Sequence, residues 1–254
     1  MTTPTALPAS KPTLGHEFEP KRFVLIGLGG IGAHVLRLTT QFLYSKRLRT
    51  PIVAVDGDTF EPKNRERMSF DRFGPKATVL VEELADQYGD VVRLLPVPHY
   101  LTPDNIENHV HSGDVVFCQP DNHKTRRLVE QRCATLDDVA LFSGGNDGIE
   151  DGKTGTYGNV QAYLRSGGVD LTNAISRYHP EIAEPADKLP TELGCGAQIE
   201  SAPQLLFTNA SVAAAMLAAF YGWWLGSLGY EEVYLDILPG RMVPVHRHVR
   251  QPKS

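Results

Sequence analysis

Cysteine is scarce in this chain. Its three cysteines, Cys118, Cys133 and Cys195, lie far apart and form no CxxC pair. That excludes a zinc knuckle or a disulfide framework, so no zinc is expected, and a reducing cytoplasm suits the chain. Positive charge is not in excess either. With 30 acidic residues against 25 Lys and Arg, the formal net charge is −5, and broad binding to nucleic acid or to a membrane surface is not expected. Lys124 with Arg126 and Arg127 is a candidate local basic patch. An uninterrupted apolar run of membrane-spanning length is also missing. The longest, near 211–229, follows Asn209 and is broken by Ser211 and three glycines, so it reads as a buried helix. Residues 1–20 are polar, hold four prolines and carry no secretory signal. A flexible or surface-lying arm is expected there.

What is present is ordinary in bulk and specific in detail. At 254 residues, 41% apolar and 22% charged, the chain has the composition of a globular protein with one large core or two small ones. From residue 22 to about 145 strands and helices alternate. Short Val-, Ile- and Leu-rich runs near 22–27, 51–56, 91–97, 113–118 and 139–143 are apolar on both faces, as parallel strands covered by helices are. Helices are predicted near 30–45, 75–88 and 122–136. Pro75 suits a first helical turn, and Asp121 or Asn122 suits an N-cap. Right-handed crossovers then give a doubly wound, mainly parallel Rossmann-like sheet. Beyond Gly144-Gly145 the texture changes. Residues 154–165 alternate like an antiparallel strand, and 204–227 form one apolar helix. Residues 230–237 and 241–248 read as a closing hairpin, so the sheet is extended by antiparallel C-terminal strands. The polar, proline-punctuated stretch 166–203 is a long loop of the kind that serves as a lid or docks a partner.

Three stretches carry the chemistry. In the first, an apolar strand runs into Gly27-Leu28-Gly29-Gly30-Ile31-Gly32 and a helix begins, which makes a phosphate site. In the second, a strand ends on Asp56, 24 residues after Gly32, where a ribose hydroxyl would lie. Asp58, Asn64, Arg67 and Lys76 follow within a short segment. Lys76 in a first helical turn runs against the helix dipole and is easier to understand with an anion nearby. In the third, Asp121-Asn122 opens a later helix. Cations, an amide and a further carboxylate suit a metal-bound triphosphate better than a hydride carrier.

These stretches resemble the superfamily of ThiF, MoeB and the catalytic domains of ubiquitin-activating enzymes, over about 22–165 and 195–237. GLGGIG resembles its GxGGxG loop, and DGDTFEPKNRER its aspartate–x–aspartate followed by asparagine and arginine. GPK resembles its helix-opening lysine, PDNHKTR its aspartate–asparagine followed by arginine, and CGAQIESAPQLLFTNASVAAAMLAAF its cysteine, strand and long helix. Small ThiF-like proteins encoded beside a ubiquitin-like partner, the PRTRC-system members among them, are one such group. The resemblance implies a single adenylation domain over 21–254, with a crossover loop at about 166–203. It implies ATP-dependent adenylation of the C-terminal glycine carboxylate of a ubiquitin-like or sulfur-carrier protein, in a homodimer. Gly29 and Gly30, with Gly27 and Gly32 shaping the turn, would cradle phosphate. Asp56 would accept from ribose, and Asp58 and Asn122 would line the nucleotide. Asn64, Arg67 and Lys76 would orient and neutralise phosphate, Asp121 would hold Mg²⁺, and Cys195 would accept the acyl group or a sulfur. The chain departs from the family in holding no arginine within residues 1–20 to reach a partner's nucleotide. An NAD-dependent oxidoreductase, a tRNA-modifying dehydratase of the same superfamily and a non-catalytic nucleotide-binding scaffold are the alternatives.

Overall fold

The computed structural model describes residue 16 and residues 18–150, 152–192 and 203–246. The strands in chain order are β1 (Arg22–Ile26), β2 (Ile52–Val55), β3 (Leu94–Val97), β4 (Asp114–Cys118), β5 (Val139–Asn146), β6 (Ile149–Glu150), β7 (Lys153–Thr154), β8 (Tyr157–Ser166), β9 (Val169–Asp170), β10 (Glu232–Asp236) and β11 (Arg241–Val245). The helices are α1 (Gly30–Ser45), α2 (Lys76–Tyr88), α3 (Ile106–His109), α4 (His123–Cys133), α5 (Pro180–Ala183) and α6 (Leu206–Trp224), with short 3₁₀ turns at Pro62–Glu66, Ile175–Tyr178 and Pro190–Glu192.

One large sheet runs in the order β11-β10-β8-β5-β4-β1-β2-β3, with β9 paired to β8. The strands β5, β4, β1, β2 and β3 pair in parallel, and β8, β10 and β11 add antiparallel pairs. Both faces of β4, β1 and β2 are buried, because alternate apolar residues of each strand supply a separate core, while β3 at the sheet edge is half-buried. Phe23, Leu25, Phe117 and Phe142 face one cluster with α1, α2 and α6. Val24, Ile26, Val116 and Leu141 face the other with α4. Helix α6 is long and apolar enough to cross a membrane by length and composition. Here its Val212, Met216, Phe220 and Trp223 are buried against the sheet. Phe220 meets Phe23, Phe42, Phe117 and Phe142 at ring separations of 5.5–6.1 Å, so Phe220→Ala should cost about 3–5 kcal/mol.

The elements fall close to the sequence expectations, with three differences. The short β6–β7 hairpin and the one-turn helix α3 carry no periodic signal in so few residues. The stretch from 166 to 192 is not irregular throughout: it contains β9, two 3₁₀ turns and α5. Polar groups tie it down, which is why hydrophobic periodicity does not reveal it. Buried Glu130 accepts from the backbone N–H of Ser176 at 2.6 Å and its hydroxyl at 2.8 Å. His179 Nε2 lies 2.6 Å from Glu232. Residues 1–15 of the expected arm and residues 193–202 lie outside the described residues.

Candidate functional site

The carboxyl ends of β1, β2 and β4 lie side by side at the centre of the sheet, where strand order reverses and a doubly wound fold leaves a crevice. Each strand delivers one group into it. After β1 the chain turns at Gly27, whose φ of +86° suits glycine alone, and a Cβ there would lie 2.8 Å from the backbone of Pro120. A Cβ on Gly32 would lie 1.9 Å from the Gly27 carbonyl. The turn therefore packs too tightly for any side chain at these two positions. Gly29 is the N-cap of α1, and no side chain caps the helix. A Cβ on Gly29 would meet nothing within 4 Å. The helix start thus carries no side-chain cap, and the space beside Gly29 is open at its positive dipole end, which is what an anion requires.

Asp56, just past β2, is buried beneath this turn. Its carboxylate accepts the Leu28 N–H at 2.5 Å and the Asp58 N–H at 2.7 Å. Burial raises its pKa from 3.8 to about 6, Asp58 adding to the rise while Lys76 and the two backbone N–H groups oppose it. Lys76 opens α2 with its own N–H on the Asp58 carbonyl at 2.8 Å. Its ammonium reaches the Asp58 carboxylate at 2.7 Å and is almost entirely buried. Burial works against that charge, but Asp56 and Asp58 outweigh it, and Asp121 adds to them, so the pKa is raised and Lys76 stays cationic. Tyr100 completes the group. Its hydroxyl donates to Asp58, and its ring covers Gly57, where a Cβ would come within 2.5 Å of it.

Asn64 and Arg67 play different parts. The Asn64 side-chain oxygen accepts the Glu61 N–H at 2.8 Å, and its carbonyl accepts the N–H of Arg67 and of Met68. Asn64 thus holds the 3₁₀ turn that places Arg67. Arg65 lies over the Phe70 ring, 4.7 Å from its centre. Arg67 keeps a buried Nε with no hydrogen-bond partner among the described residues. A buried guanidinium N–H left unpaired is costly, and an anion would satisfy it.

Beyond β4, Asn122 is the N-cap of α4, its side chain accepting from Thr125 N at 2.7 Å. Asp121 is exposed beside it. Arg126 is buried and, among the described residues, bonded only to neutral groups: the carbonyls of Pro120 and Gly144 at 2.9 and 2.7 Å, and Ser143 Oγ at 3.1 Å. It braces the turn that presents Asp121 against β5. Lys124 pairs with Glu192 and Arg127 with Glu130. The candidate basic patch at Lys124, Arg126 and Arg127 is therefore not one: a brace and two ion pairs stand in its place. Asp187 accepts the N–H groups of His123 and Lys124 at 2.6 and 2.9 Å, so the loop leading toward residue 193 is anchored beside the same turn.

Asp56, Asp58, Lys76 and the glycine turn are thus joined by direct contacts, and the charge of Asp121 reaches Lys76. Cys195 lies outside the described residues. Cys118 and Cys133 are core residues; burial pushes the Cys118 thiol up to about 12 and that of Cys133 higher still. Among the described residues no group of three or more His, Cys, Asp or Glu could hold a metal. Sequence reasoning missed Tyr100, Gln119, Asp187 and Asn209, none of which stands in a recognisable motif.

A glycine-turned, uncapped helix beside a buried lysine and two acidic strand ends defines a nucleotide-site fold. The match to the ThiF family spans residues 14–218, and the chain belongs to that family. Among solved structures it is similar to Escherichia coli MccB with selenomethionyl MccA, at 16% identity and a TM-score of 0.63, covering 91% of this chain and 65% of that one. It is similar to E. coli MccB with ATP at 16% identity and a TM-score of 0.61, covering 91% and 64%. It is also similar to PaaA at 12% identity and a TM-score of 0.61, covering 89% and 64%. These likenesses show the fold, and the chain spans less than two thirds of each neighbour. No curated protein matches it.

Proposed function

We propose that this protein uses ATP to adenylate the C-terminal carboxylate of a peptide or protein, a ubiquitin-like or sulfur-carrier protein ending in glycine being the partner favoured by the family. The observation that carries the reading is the uncapped N-terminus of α1 over open space, with Lys76 buried beside it and the Arg67 Nε unpaired. A carboxylate oxygen would attack the α-phosphorus, the bond to the β-phosphate would break, and acyl-adenylate and pyrophosphate would result. Two anions must meet, so the work is positioning and charge neutralisation. The N–H groups of the first turn of α1 would hold phosphate, with Arg67 and Lys76 as counter-charges. Asp56 would accept from ribose. Its neighbour Asp58 now holds Lys76, and phosphate would take over part of that pairing.

Asp121 fits Mg²⁺, which uses one or two carboxylates together with phosphate oxygens. The ion would neutralise phosphate charge. The loop at about 166–203, anchored through Asp187, would guide the partner's tail. The Cys195 thiolate would attack the acyl-adenylate carbonyl to form a thioester and release AMP, or would take a sulfane sulfur from a persulfide donor whose thiolate leaves. The homodimer of the family would form on the apolar helix at 204–227 and adjacent strands.

The test is ATP–pyrophosphate exchange with the natural partner, encoded beside this chain or captured by it. Exchange that depends on both the partner and its terminal carboxylate supports the reading. NAD⁺ reduction or partner-independent ATP hydrolysis refutes it.

A further inference from the structure

Asn209 sits in the first turns of α6 and is completely buried, yet neither its Oδ1 nor its Nδ2 has a hydrogen-bond partner among the described residues. The adjacent Thr208 has one, donating its hydroxyl to the Gly155 carbonyl at 2.7 Å. Leaving both ends of a buried amide unpaired costs about 1–3 kcal/mol for each lost partner. Nothing in the packing demands this amide, because its neighbours along the buried face of α6 are Val212, Ala213 and Met216.

The amide is aimed at the glycine turn. A Cβ built on Gly30 would lie 2.1 Å from Asn209 Nδ2 and 2.8 Å from its Cγ. Gly30 is the first residue of α1, and a Cα–Cβ bond in a helix tilts toward the N-terminus. Asn209 therefore fills the place a side chain of Gly30 would take, against the first turn of α1 and one residue from the open space at Gly29. The strand end opposite contributes a similar half-used amide. Gln119 Nε2 donates to the Gly27 carbonyl at 3.0 Å, and its Oε1 is buried without a partner.

We infer that Asn209 is a phosphate-binding residue supplied to the α1 N-terminus from α6, its Nδ2 donating to a phosphate oxygen of the nucleotide. The inference rests on the nucleotide reading above and adds a side-chain donor to a cradle otherwise made of backbone. It also accounts for Gly30, since any side chain there would displace the amide.

The experiment measures binding of ATP and of adenosine by calorimetry to the wild-type chain, to Asn209→Ala and to Asn209→Leu, with urea denaturation of each. A hydrogen bond to a charged group implies about a ten- to hundredfold loss of ATP affinity in both variants, with adenosine affinity unchanged and the fold retained. Asn209→Leu keeps the branching and removes the unpaired amide but is bulkier, so the relief of the unpaired groups offsets overpacking, and urea denaturation shows whether the fold is retained. Undiminished ATP affinity in a folded Asn209→Leu overturns the inference and leaves the nucleotide reading standing. Failure of the wild type to bind ATP overturns that reading and the inference with it. Equal losses for ATP and adenosine mark Asn209 as a packing residue and also overturn the inference.

Discussion

Replacing Asp56 by Asn removes a buried charge whose protonation is coupled to folding. Burial raises the Asp56 pKa from 3.8 to about 6 against the pull of Lys76. At 1.36 kcal/mol per unit, a difference of about two units amounts to roughly 3 kcal/mol. A carboxyl group whose folded pKa is raised binds its proton more tightly in the native state. Its contribution is therefore full below about pH 4, is lost as pH rises through about 6, and is flat above that. The wild type should lose about 3 kcal/mol relative to Asp56→Asn between about pH 4 and pH 7. The variant carries its own, pH-independent cost. Asn can accept one of the two N–H groups now held by Asp56, but it turns an NH₂ toward the other, costing about 1–3 kcal/mol. Urea denaturation of both proteins at half-unit pH steps gives the difference curve, in which unrelated titrations cancel. A flat difference, or one in which the wild type gains relative stability with pH, refutes the reasoning.

Lys76→Ala and Arg67→Ala should each lower partner-dependent pyrophosphate exchange by roughly 10²–10³ while leaving the far-ultraviolet circular dichroism spectrum unchanged; exchange at wild-type rates removes them from the chemistry. Asp121→Ala should raise the Mg²⁺ concentration needed for exchange without lowering stability, whereas Asn122→Ala, which removes the α4 cap, should cost about 1 kcal/mol in thermal or urea unfolding. The opposite pattern would exchange their roles. Cys195→Ser should still form acyl-adenylate but no thiol-labile thioester and no reducible persulfide; complete turnover by Cys195→Ala makes the residue dispensable.

The parallel half of the fold and its glycine turn are legible in sequence because both rest on local rules. Buried parallel strands are continuous apolar runs, and a turn as tight as that at Gly27 and Gly32 admits glycine alone. Lys76 stood out because a cation at a helix start is out of place. What stayed hidden depends on tertiary contact. The stretch from 166 to 192 is ordered by isolated polar pairs such as Ser176 on Glu130 and the α4 N–H groups on Asp187. Such pairs have no period. Whether Lys124, Arg126 and Arg127 form a basic patch is not legible in a charge count, because side-chain burial is invisible there: Arg126 is a buried brace. Asn209 was visible only as a polar break in an apolar helix, and its aim at Gly30 emerges once α6 is packed on α1.

Calorimetric titration of the wild-type chain with ATP in Mg²⁺, and separately with NAD⁺, tests the central claim most directly. The open helix start, the buried lysine and the unpaired Arg67 Nε predict saturable, one-site ATP binding that Lys76→Ala weakens and excess NAD⁺ does not displace. Tight NAD⁺ binding with no detectable ATP binding would contradict it.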